Sequence, residues 1–339
     1  AMTGGRRVAV LLNRRAQGVT PARLRWFAGQ VAAEDLFVTD SLPSGEQAVR
    51  AILAAGHDVV CPGGGDGTFM ETAAALLRLA PAGAPLPALL PLRLGTGNAV
   101  HDVCGASPPT ARGLARDLAR AADPAEAPSP LRLLDVDGRL TQFAGVGLDA
   151  DWQADYARVI KRRFNDSRLL PLARGAPGYV ATAFGVTIPR LVRRPYIDVR
   201  IVAVGAALRL DARGRTAAEL PDGAVLFEGP ATLAAASTVP SYSAGFRFFP
   251  HVDAIGERFE LKVGAARLGD VVRTAVHMLT GRQAAEGGAV RDLAARAVRV
   301  ELAAPARYHL GGDVQPPARA FTIRLGPRPV PVLRPRSAR

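Results

Sequence analysis

The first third of the chain alternates short apolar runs with longer stretches in which apolar residues recur every three or four positions. The apolar runs predict buried strands at Arg7–Asn13, Leu36–Thr39, Asp58–Cys61 and Leu89–Leu94. The periodic stretches predict helices at Pro21–Ala33, Ser44–Ala55, Phe69–Leu79 and Pro108–Ala122. Ser44, with Gln47 three residues on, is the predicted cap of the second helix. This order predicts an open, mostly parallel sheet with helices on both faces.

Beyond residue 130 the pattern changes to short strand-like runs separated by turns such as Asp137-Gly138 and Arg213-Gly214. Apart from Ala320–Leu325, which is a candidate for return to the first domain, the runs lie at Leu131–Val136, Thr141–Val146, Ile197–Val204, Ala206–Leu210, Ala224–Glu228, Ala231–Ser237, Phe246–Pro250, Arg258–Val263, Ala297–Leu302 and Ala306–His309. They predict an antiparallel β domain, a β-sandwich, with helical insertions at about 151–193 and 268–283.

The proline-rich segment Asp123–Pro130 is typical of a linker, and the chain of 339 residues is long enough for two domains. We therefore predict an α/β domain at 1–128 and a β-sandwich domain at 129–317. The segment 318–333 is a candidate for a strand that returns to the first domain.

A glycine-rich string follows the predicted strand that ends at Cys61. It comprises Gly63, Gly64, Gly65, Asp66, Gly67 and Thr68, with Glu71 in the helix that follows. A strand, a glycine turn and a helix start direct free backbone N–H groups at one point, which attracts phosphate oxygens. Glycine leaves room for a phosphate there, and such turns often require positive φ. The string is not a P-loop, because no Gly-Lys-Ser/Thr follows.

Asp66 lies within this string, where a carboxylate beside phosphates would hold a metal ion or accept a proton. The alternative is structural: a tight strand-to-helix turn whose acid caps the helix. Both interpretations are open on sequence alone.

Polar segments follow the other predicted strands at the same edge of the sheet. They are Asn13, Thr39 and the loop Gly95-Thr96-Gly97-Asn98. In open α/β sheets the ligand lies beyond the carboxyl ends of the strands, so these segments and the glycine string are predicted to form one site. For the 95–98 loop, a flexible turn without a ligand is the alternative.

Composition adds a basic charge balance, with 43 Lys and Arg against 30 Asp and Glu for a net charge of +13. Such a surface suits polyanions, although much of the arginine is also what a GC-rich genome would encode. Nucleic acid is not favoured, because aromatic residues are only 6% and no zinc pattern is present.

The two cysteines, Cys61 and Cys104, lack metal-ligand spacing and fit a reducing compartment. No run of 18 apolar residues occurs, so any membrane contact is predicted to be peripheral.

Taken together, these motifs resemble the diacylglycerol kinase catalytic-domain family, which includes the sphingosine and ceramide kinases and soluble bacterial lipid kinases. The resemblance rests on Gly64–Thr68 with Glu71, the loop after Asn13, Thr39, the 95–98 loop and Gly145-Val-Gly-Leu-Asp149-Ala. It implies a Rossmann-like N-terminal domain of the type shared with NAD kinases, a C-terminal β-sandwich and an ATP site in the cleft between them. It also implies Mg²⁺-dependent transfer of the γ-phosphoryl group to a lipid hydroxyl.

The resemblance also implies roles for individual residues. Nucleotide-binding residues would be Asn13, Thr39, Gly63, Gly64, Gly65, Asp66, Gly67, Thr68, Glu71, Gly95, Thr96, Gly97 and Asn98. Asp66 would also lie near the metal. Asp149 or Asp151 would lie near the lipid head group. Gly311-Gly312-Asp313 stands where the family has an Asp-Gly-Glu turn, so Asp313 would take the role of general base.

Two departures from the family pattern stand out. The family usually has Asp after the Gly-Thr-Gly-Asn loop, and this chain has Ala99. The family usually has a metal-binding Asp-Asp-Gly turn where this chain has Pro250–Glu257, so a structural metal there is not predicted; Asp253 or Glu257 would have to substitute.

A basic and apolar segment, Arg158–Leu170, is a candidate for docking on an anionic membrane, with Phe164 and Leu169–Leu170 entering the bilayer. The alternative is a solvated helix packed on the β domain.

We therefore expect a cytoplasmic protein, peripheral at the inner membrane face, that acts on a lipid and does not bind nucleic acid. An NAD kinase-like enzyme and a catalytically silent lipid-binding homologue are the other candidates. The sequence identifies neither the lipid nor the oligomeric state.

Overall fold

The computed structural model of the chain describes residues 5–95, 97–162, 182–187, 189, 196–241, 247–266, 269 and 290–335. The chain divides into two compact units, residues 1–132 with 328–339, and residues 133–327. Each unit has its own sheets, and each is described separately below.

The first unit begins with alternating strands and helices. Its elements up to residue 131 are β1 (Val8–Asn13), α1 (Pro21–Ala28), a 3₁₀ turn (Ala33–Asp35), β2 (Leu36–Thr39), α2 (Leu42–Ala54), β3 (Val59–Gly64), α3 (Asp66–Leu79), β4 (Ala88–Leu89), β5 (Leu92–Arg93), α4 (Ala99–Val103), α5 (Ala111–Ala122) and β6 (Pro128–Leu131).

The second unit is built mainly of strands. Its elements are β7 (Leu134–Val136), β8 (Arg139–Thr141), β9 (Phe143–Gly147), α6 (Leu148–Tyr156), π-helical segments at Ala157–Arg162 and Ala183–Thr187, β10 (Ile197–Ala203), β11 (Ala207–Leu210), β12 (Thr216–Leu220), β13 (Val225–Ala231), β14 (Leu233–Ser237), β15 (Phe259–Gly264), β16 (Val290–Ala295), β17 (Ala297–Ala306), β18 (Tyr308–Leu310), β19 (Asp313–Val314) and β20 (Ala318–Leu325). A last strand, β21 (Val330–Leu333), lies in the first unit.

The sheet of the first unit is parallel along most of its width, as the alternating pattern predicts. Its strand order is β2-β1-β3-β4-β21-β6, and β5 pairs with β3 beyond the end of β4. Only the outermost pair, β21 with β6, is antiparallel. Phe27, Phe69 and Leu76 from the helices and Leu12 and Leu89 from the strands are fully buried. Their burial attaches the helices to the sheet through apolar contact.

The strand that returns to this sheet is shorter than the segment 318–333 considered above. Residues Ala318–Leu325 pair with β17 and β7 of the second unit, and only Val330–Leu333 joins the first. The proline-rich stretch at 123–130 also contributes structure, because β6 begins at Pro128. A strand with two prolines is accommodated there because β6 is the outermost strand of the sheet and has a pairing partner on one side only.

The start of α2 differs from the prediction. Ser41 caps the helix, and Ser44 is its third residue. The Ser41 hydroxyl accepts from the Ser44 N–H at 3.4 Å, and the Ser44 hydroxyl accepts from the Ser41 N–H at 3.1 Å, a reciprocal capping box. Pro43 lies in the first turn, where its missing N–H costs nothing, so the helix can begin before it.

Two antiparallel sheets pack face to face in the second unit, which confirms the predicted sandwich. Their strand orders are β13-β10-β17-β20-β7-β8 and β12-β11-β16-β15-β14-β9-β18-β19. One apolar core joins them: Val199, Ile201 and Phe321 from the first sheet meet Phe259 and Leu261 from the second. Residues Phe249 and Val252 cover Ala235 on β14 in a second small cluster.

The predicted strand at 246–250 is not formed by its described part, residues 247–250, where Arg247 makes only an isolated bridge to Ser241. The helical insertion predicted at 268–283 lies outside the described residues except Gly269. Phe164, Leu169 and Leu170 of the membrane-docking segment also lie outside the described residues.

Among the helices that the structure describes, none has the length and apolar character needed to span a bilayer.

A buried charge cluster lies on β15 and β16. The Lys262 ammonium contacts the Asp292 carboxylate and lies 3.3 Å from the Glu260 carboxylate, which has no exposed surface. Glu260 also accepts from the His251 N–H at 2.8 Å. Burial raises the pKa of Glu260 from 4.5 to about 7. Lys262 acts in the opposite direction, but it lies closer to Asp292, so the cost of desolvating Glu260 prevails.

This raised pKa predicts a pH-dependent stability. Between pH 4.5 and about 7 the folded chain holds a proton on Glu260 that the unfolded chain has lost, so this contribution falls as the pH rises. We expect Glu260 to lower the free energy of unfolding by about 3 kcal/mol across that interval. Urea unfolding at several pH values should show a flatter dependence for Glu260→Gln than for the exposed control Glu219→Gln. Identical slopes for the two variants would show that Glu260 ionises normally in the folded chain.

Candidate functional site

The ends of the first three strands bring polar groups together. Asn13 and Thr39 are paired in register at the ends of β1 and β2. The Asn13 side-chain amide donates to the Thr68 hydroxyl at 3.0 Å, and the Arg14 N–H donates to the Thr39 carbonyl at 2.7 Å. Three segments that the sequence analysis assigned to one edge of the sheet are therefore in direct contact.

Two glycines of the string, Gly63 and Gly64, are required by close packing rather than by backbone conformation. A Cβ at Gly64 would lie 2.2 Å from the Thr68 hydroxyl oxygen, and one at Gly63 would lie 2.4 Å from a methyl group of Leu12. Positive φ, which we expected in this turn, does not occur at Gly63, Gly64, Gly65 or Gly67. The strand continues to Gly64 and the chain enters α3 directly after Gly65, so no left-handed residue is needed.

The N-terminus of α3 is open to a ligand. Among the described residues, no side chain caps this helix. Gly67 lies in its first turn, is exposed, and has nothing within 4 Å of the position that a Cβ would occupy. The helix has 14 residues, and its N-terminal N–H groups together with its dipole favour an anion. The neighbouring Arg14 and Arg15 are exposed and add positive charge next to Asn13.

Both oxygens of the Asp66 carboxylate accept hydrogen bonds from the backbone. Its Oδ2 accepts from the Ala99 N–H at 2.9 Å and its Oδ1 accepts from the Val100 N–H at 3.1 Å, both at the start of α4. The Asp66 N–H donates to the Gly97 carbonyl at 3.1 Å, and only 10% of the side chain is exposed. Asp66 thus fastens the 95–98 loop and the start of α4 to the start of α3, a structural role that differs from the expected cap of α3. Its proposed role near a metal stays a prediction.

His101 is a part of this site that the sequence analysis missed. Its Nδ1 lies 3.4 Å from the Asp66 Oδ1, and the side chain is completely buried. The sequence analysis gave this lone histidine no role, because it lies 35 residues from Asp66 and forms no recognisable ligand motif. His101 adds a third group to those that hold Asp66.

The 95–98 loop is pressed against the glycine string. A Cβ at Gly95 would lie 2.1 Å from the Gly65 Cα, so the two backbones meet at a distance that only glycine allows. The Asn98 side-chain amide donates to the Gly95 carbonyl at 3.3 Å. Thr96 lies outside the described residues. Glu71 is exposed on the second turn of α3.

These observations fit a ligand that carries phosphate groups. The open helix start and the exposed Gly67 suit phosphate oxygens. In the part of the chain that the structure describes, no group of three or more His, Cys, Asp and Glu side chains could hold a metal ion. Magnesium requires few carboxylates and keeps several waters, so an ion carried by the phosphates needs no such cluster.

The second unit holds the remaining predicted residues. β9 ends at Gly147 with φ of 95°, and α6 begins at Leu148, so Asp149 lies in the first turn of that helix. A Cβ at Gly145 would lie 1.8 Å from the Asp149 Oδ2. The Gly-Val-Gly-Leu-Asp motif thus has a physical basis: Gly145 provides space for the carboxylate, and Gly147 provides the turn.

Asp149 is held by a residue that the sequence analysis did not select. The His309 Nε2 lies 2.9 Å from the Asp149 Oδ2, and His309 is fully buried on β18. Asp313 is exposed on β19, directly after the turn at Gly311 and Gly312. Asp151 is partly exposed on α6.

The two acids considered as metal ligands in the segment 250–257 lie at the surface. Glu257 pairs with the Arg296 guanidinium, and Asp253 is exposed. The cysteines offer no nucleophile, because burial raises the pKa of Cys61 far above its usual range and that of Cys104 to about 12.

The comparison with known families fits this geometry. Residues 7–126 match the family model described as the diacylglycerol kinase catalytic domain. The matched segment contains the glycine string, Asn13, Thr39 and the 95–98 loop. The similarity to this family is therefore confined to residues 7–126, about a third of the chain. A search of curated proteins found no match.

Solved structures share the fold of the whole chain. A Bacillus anthracis str. Sterne protein provisionally assigned as a diacylglycerol kinase has 16% identity and a TM-score of 0.66, with 99% of this chain and 100% of that chain covered. A diacylglycerol kinase structure from the same organism has 15% identity and a TM-score of 0.61, with the same coverage. An Archaeoglobus fulgidus NAD kinase in complex with ATP has 12% identity and a TM-score of 0.51, with 96% and 93% covered. These similarities establish an α/β domain followed by antiparallel sheets.

The hydrogen bonds of Asp66 generate a stability prediction for the first unit. In Asp66→Asn an amide group replaces one carboxylate oxygen and faces a backbone N–H of α4, so one buried donor loses its acceptor. We expect a loss of about 1–3 kcal/mol in the free energy of unfolding, measured in urea. The exposed Glu34→Gln serves as the control. Equal stability of Asp66→Asn and wild type would show that these hydrogen bonds are not formed in solution.

Proposed function

We propose that this protein is an ATP-dependent lipid kinase that transfers the γ-phosphoryl group of Mg-ATP to a lipid hydroxyl, of the diacylglycerol, sphingoid-base or ceramide type. The observation that carries the proposal is the open N-terminus of α3 behind the glycine string, within residues that match the model of the diacylglycerol kinase catalytic-domain family. The fold similarity to an NAD kinase in complex with ATP supports a nucleotide as the ligand.

On the nucleotide side, the chain supplies backbone donors and positive charge. The N–H groups of the first turn of α3 at Gly67 and Thr68 would bind phosphate oxygens, and Arg14 and Arg15 would attract the triphosphate. Asp66 would keep the 95–98 loop in place beside it and would contact Mg²⁺ through water. Magnesium, when bound, would neutralise the charge that develops on the phosphates.

On the substrate side, the second unit supplies carboxylates for an alcohol. Asp149, with Asp151 on the same helix, would accept a hydrogen bond from the lipid head group. Asp313, exposed on its hairpin, would accept the proton of the attacking hydroxyl as general base. Its side chain is one methylene shorter than the glutamate that the family has at this place.

The lipid would reach the enzyme from a membrane surface. The net charge of +13 favours an anionic leaflet, where each basic residue near the surface contributes about 1 kcal/mol. This association would make the protein peripheral at the cytoplasmic face of the membrane.

The decisive experiment measures phosphate transfer from radiolabelled Mg-ATP to a panel of lipids in vesicles, with product identification by mass. We expect one class of hydroxylated lipid to be phosphorylated, faster in anionic vesicles and more slowly as salt rises, because salt screens the attraction. Transfer to NAD instead would identify an NAD kinase-like enzyme. No product from any acceptor would indicate the silent homologue. That alternative is suggested by Ala99 after the 95–98 loop, Gly256 in the segment 250–257 and Gly311 in the turn before Asp313. A rate independent of both salt and anionic lipid would contradict the membrane proposal.

Two glycine variants separate nucleotide binding from folding. Gly67→Ala adds a methyl group in open space at the helix start, so we expect weaker ATP binding without loss of stability, because the methyl group occupies the path of a phosphate. Gly64→Ala instead collides with Thr68 and should lower the melting temperature. Calorimetric titration with ATP and thermal unfolding measure both. Unchanged ATP affinity in Gly67→Ala would place the phosphates elsewhere.

A further inference from the structure

His309 lies at the junction of three elements of the second unit. It belongs to β18, whose neighbour β9 leads into α6, and whose other neighbour is β19. Its Nε2 is 2.9 Å from the Asp149 Oδ2, and its Nδ1 is 3.4 Å from the Gly312 backbone nitrogen. The ring is fully buried, and Phe143 packs edge-on against it with the centroids 5.8 Å apart.

These two contacts fix the arrangement of protons on the ring. The Gly312 N–H can only donate, so the His309 Nδ1 accepts and carries no proton. The proton therefore lies on Nε2, which donates to the Asp149 carboxylate. A neutral histidine with this tautomer satisfies both neighbours at once.

The backbone around the pair is adapted to it. A Cβ at Gly145 would lie 1.8 Å from the Asp149 Oδ2 and 3.0 Å from the His309 Nε2, so the strand leaves the space that the hydrogen bond needs. The other carboxylate oxygen, Oδ1, accepts from the Ala150 N–H at 2.8 Å. Each oxygen of Asp149 thus has a fixed donor, and 14% of the side chain remains exposed.

The same histidine restrains the turn that carries Asp313. Gly312 has φ of 93°, and the position of its missing Cβ faces Gln153 of α6 at 3.7 Å. The Gly312 N–H bond to His309 therefore ties this turn to the strand beside α6. Asp149 and the turn before Asp313 are thus attached to opposite nitrogens of one ring.

We propose that His309 is a positioning residue of the phosphotransfer reaction: it orients Asp149 toward the substrate alcohol and holds the turn that carries Asp313. This inference rests on the proposed function for the identity of the substrate. His309 does not touch the substrate, since it has no exposed surface. It acts by fixing the two carboxylates, and a displacement of about 1 Å in such a group can cost about 10²-fold in rate.

Two substitutions separate the two bonds of the ring. His309→Gln can place an amide N–H near the position of Nε2 and keep the bond to Asp149. His309→Asn can place an oxygen near Nδ1 and keep only the bond to Gly312. We expect His309→Asn to lower kcat/KM for the lipid about 10²-fold with the KM for ATP unchanged, and His309→Gln, which keeps the bond to Asp149 and loses the one to Gly312, to recover part of this loss. In an Asp149→Asn background, His309→Asn should cause little further loss.

Equal activity of His309→Asn and wild type, or a full additional loss in the Asp149→Asn background, would overturn the inference. So would an equal loss in both histidine variants that follows their melting temperatures, since that is the result of a purely structural role.

A measurement without turnover keeps this test separate from that of the proposed function. Nitrogen NMR of the imidazole side chains, with His309→Asn to assign the signal, should show a neutral ring protonated on Nε2 and a shifted signal in Asp149→Asn. A ring protonated on Nδ1 would refute the linkage even if the enzyme is active. If wild type phosphorylates no lipid while the Nε2–H signal is found, the proposed function fails and only the structural linkage survives.

Discussion

The hydrogen bonds of the Asp66 carboxylate determine the shape of the first unit's site. Two backbone N–H groups at the start of α4 and the ring of His101 all point at this side chain, which begins a different helix. The donors around this buried carboxylate replace the water that it has lost on folding. The loop after β5 therefore cannot move independently of the loop after β3. Asn13 extends this connection to a third strand through Thr68.

The glycine string could be predicted from the sequence, but the reason why glycine is required at its positions could not. Strand, glycines and helix are adjacent in sequence, so the turn could be read from local pattern alone. The need for Gly63, Gly64 and Gly95 arises from Leu12, Thr68 and Gly65, which meet them only after folding. The start of α2 could not be predicted from the local sequence. Ser41 and Ser44 are both suitable caps, and only the backbone conformation decides between them.

The sandwich architecture of the second unit was predictable, but its individual strands and residue pairs were less so. Alternating strands and turn residues identify a sandwich, but β12 and β16 were not recognised, because their apolar residues are few or small. Asp149 was found through its motif. His309 was not, because it lies 160 residues away and no local pattern marks a lone histidine. Pairs of this kind depend on strand register, here Gly145 opposite His309, which composition does not reveal.

The return of β21 to the first sheet affects how the chain can be made. β6 pairs only with β21, across some 200 positions of sequence that contain the entire second unit. During synthesis, the ribosome therefore releases the whole sandwich before the outer edge of the first sheet can close. Contacts this distant in sequence slow folding, because a large loop must be ordered before they form. Until then the exposed edge at β4 would be open to pairing with other chains, so this period is when a nascent molecule would most need a chaperone.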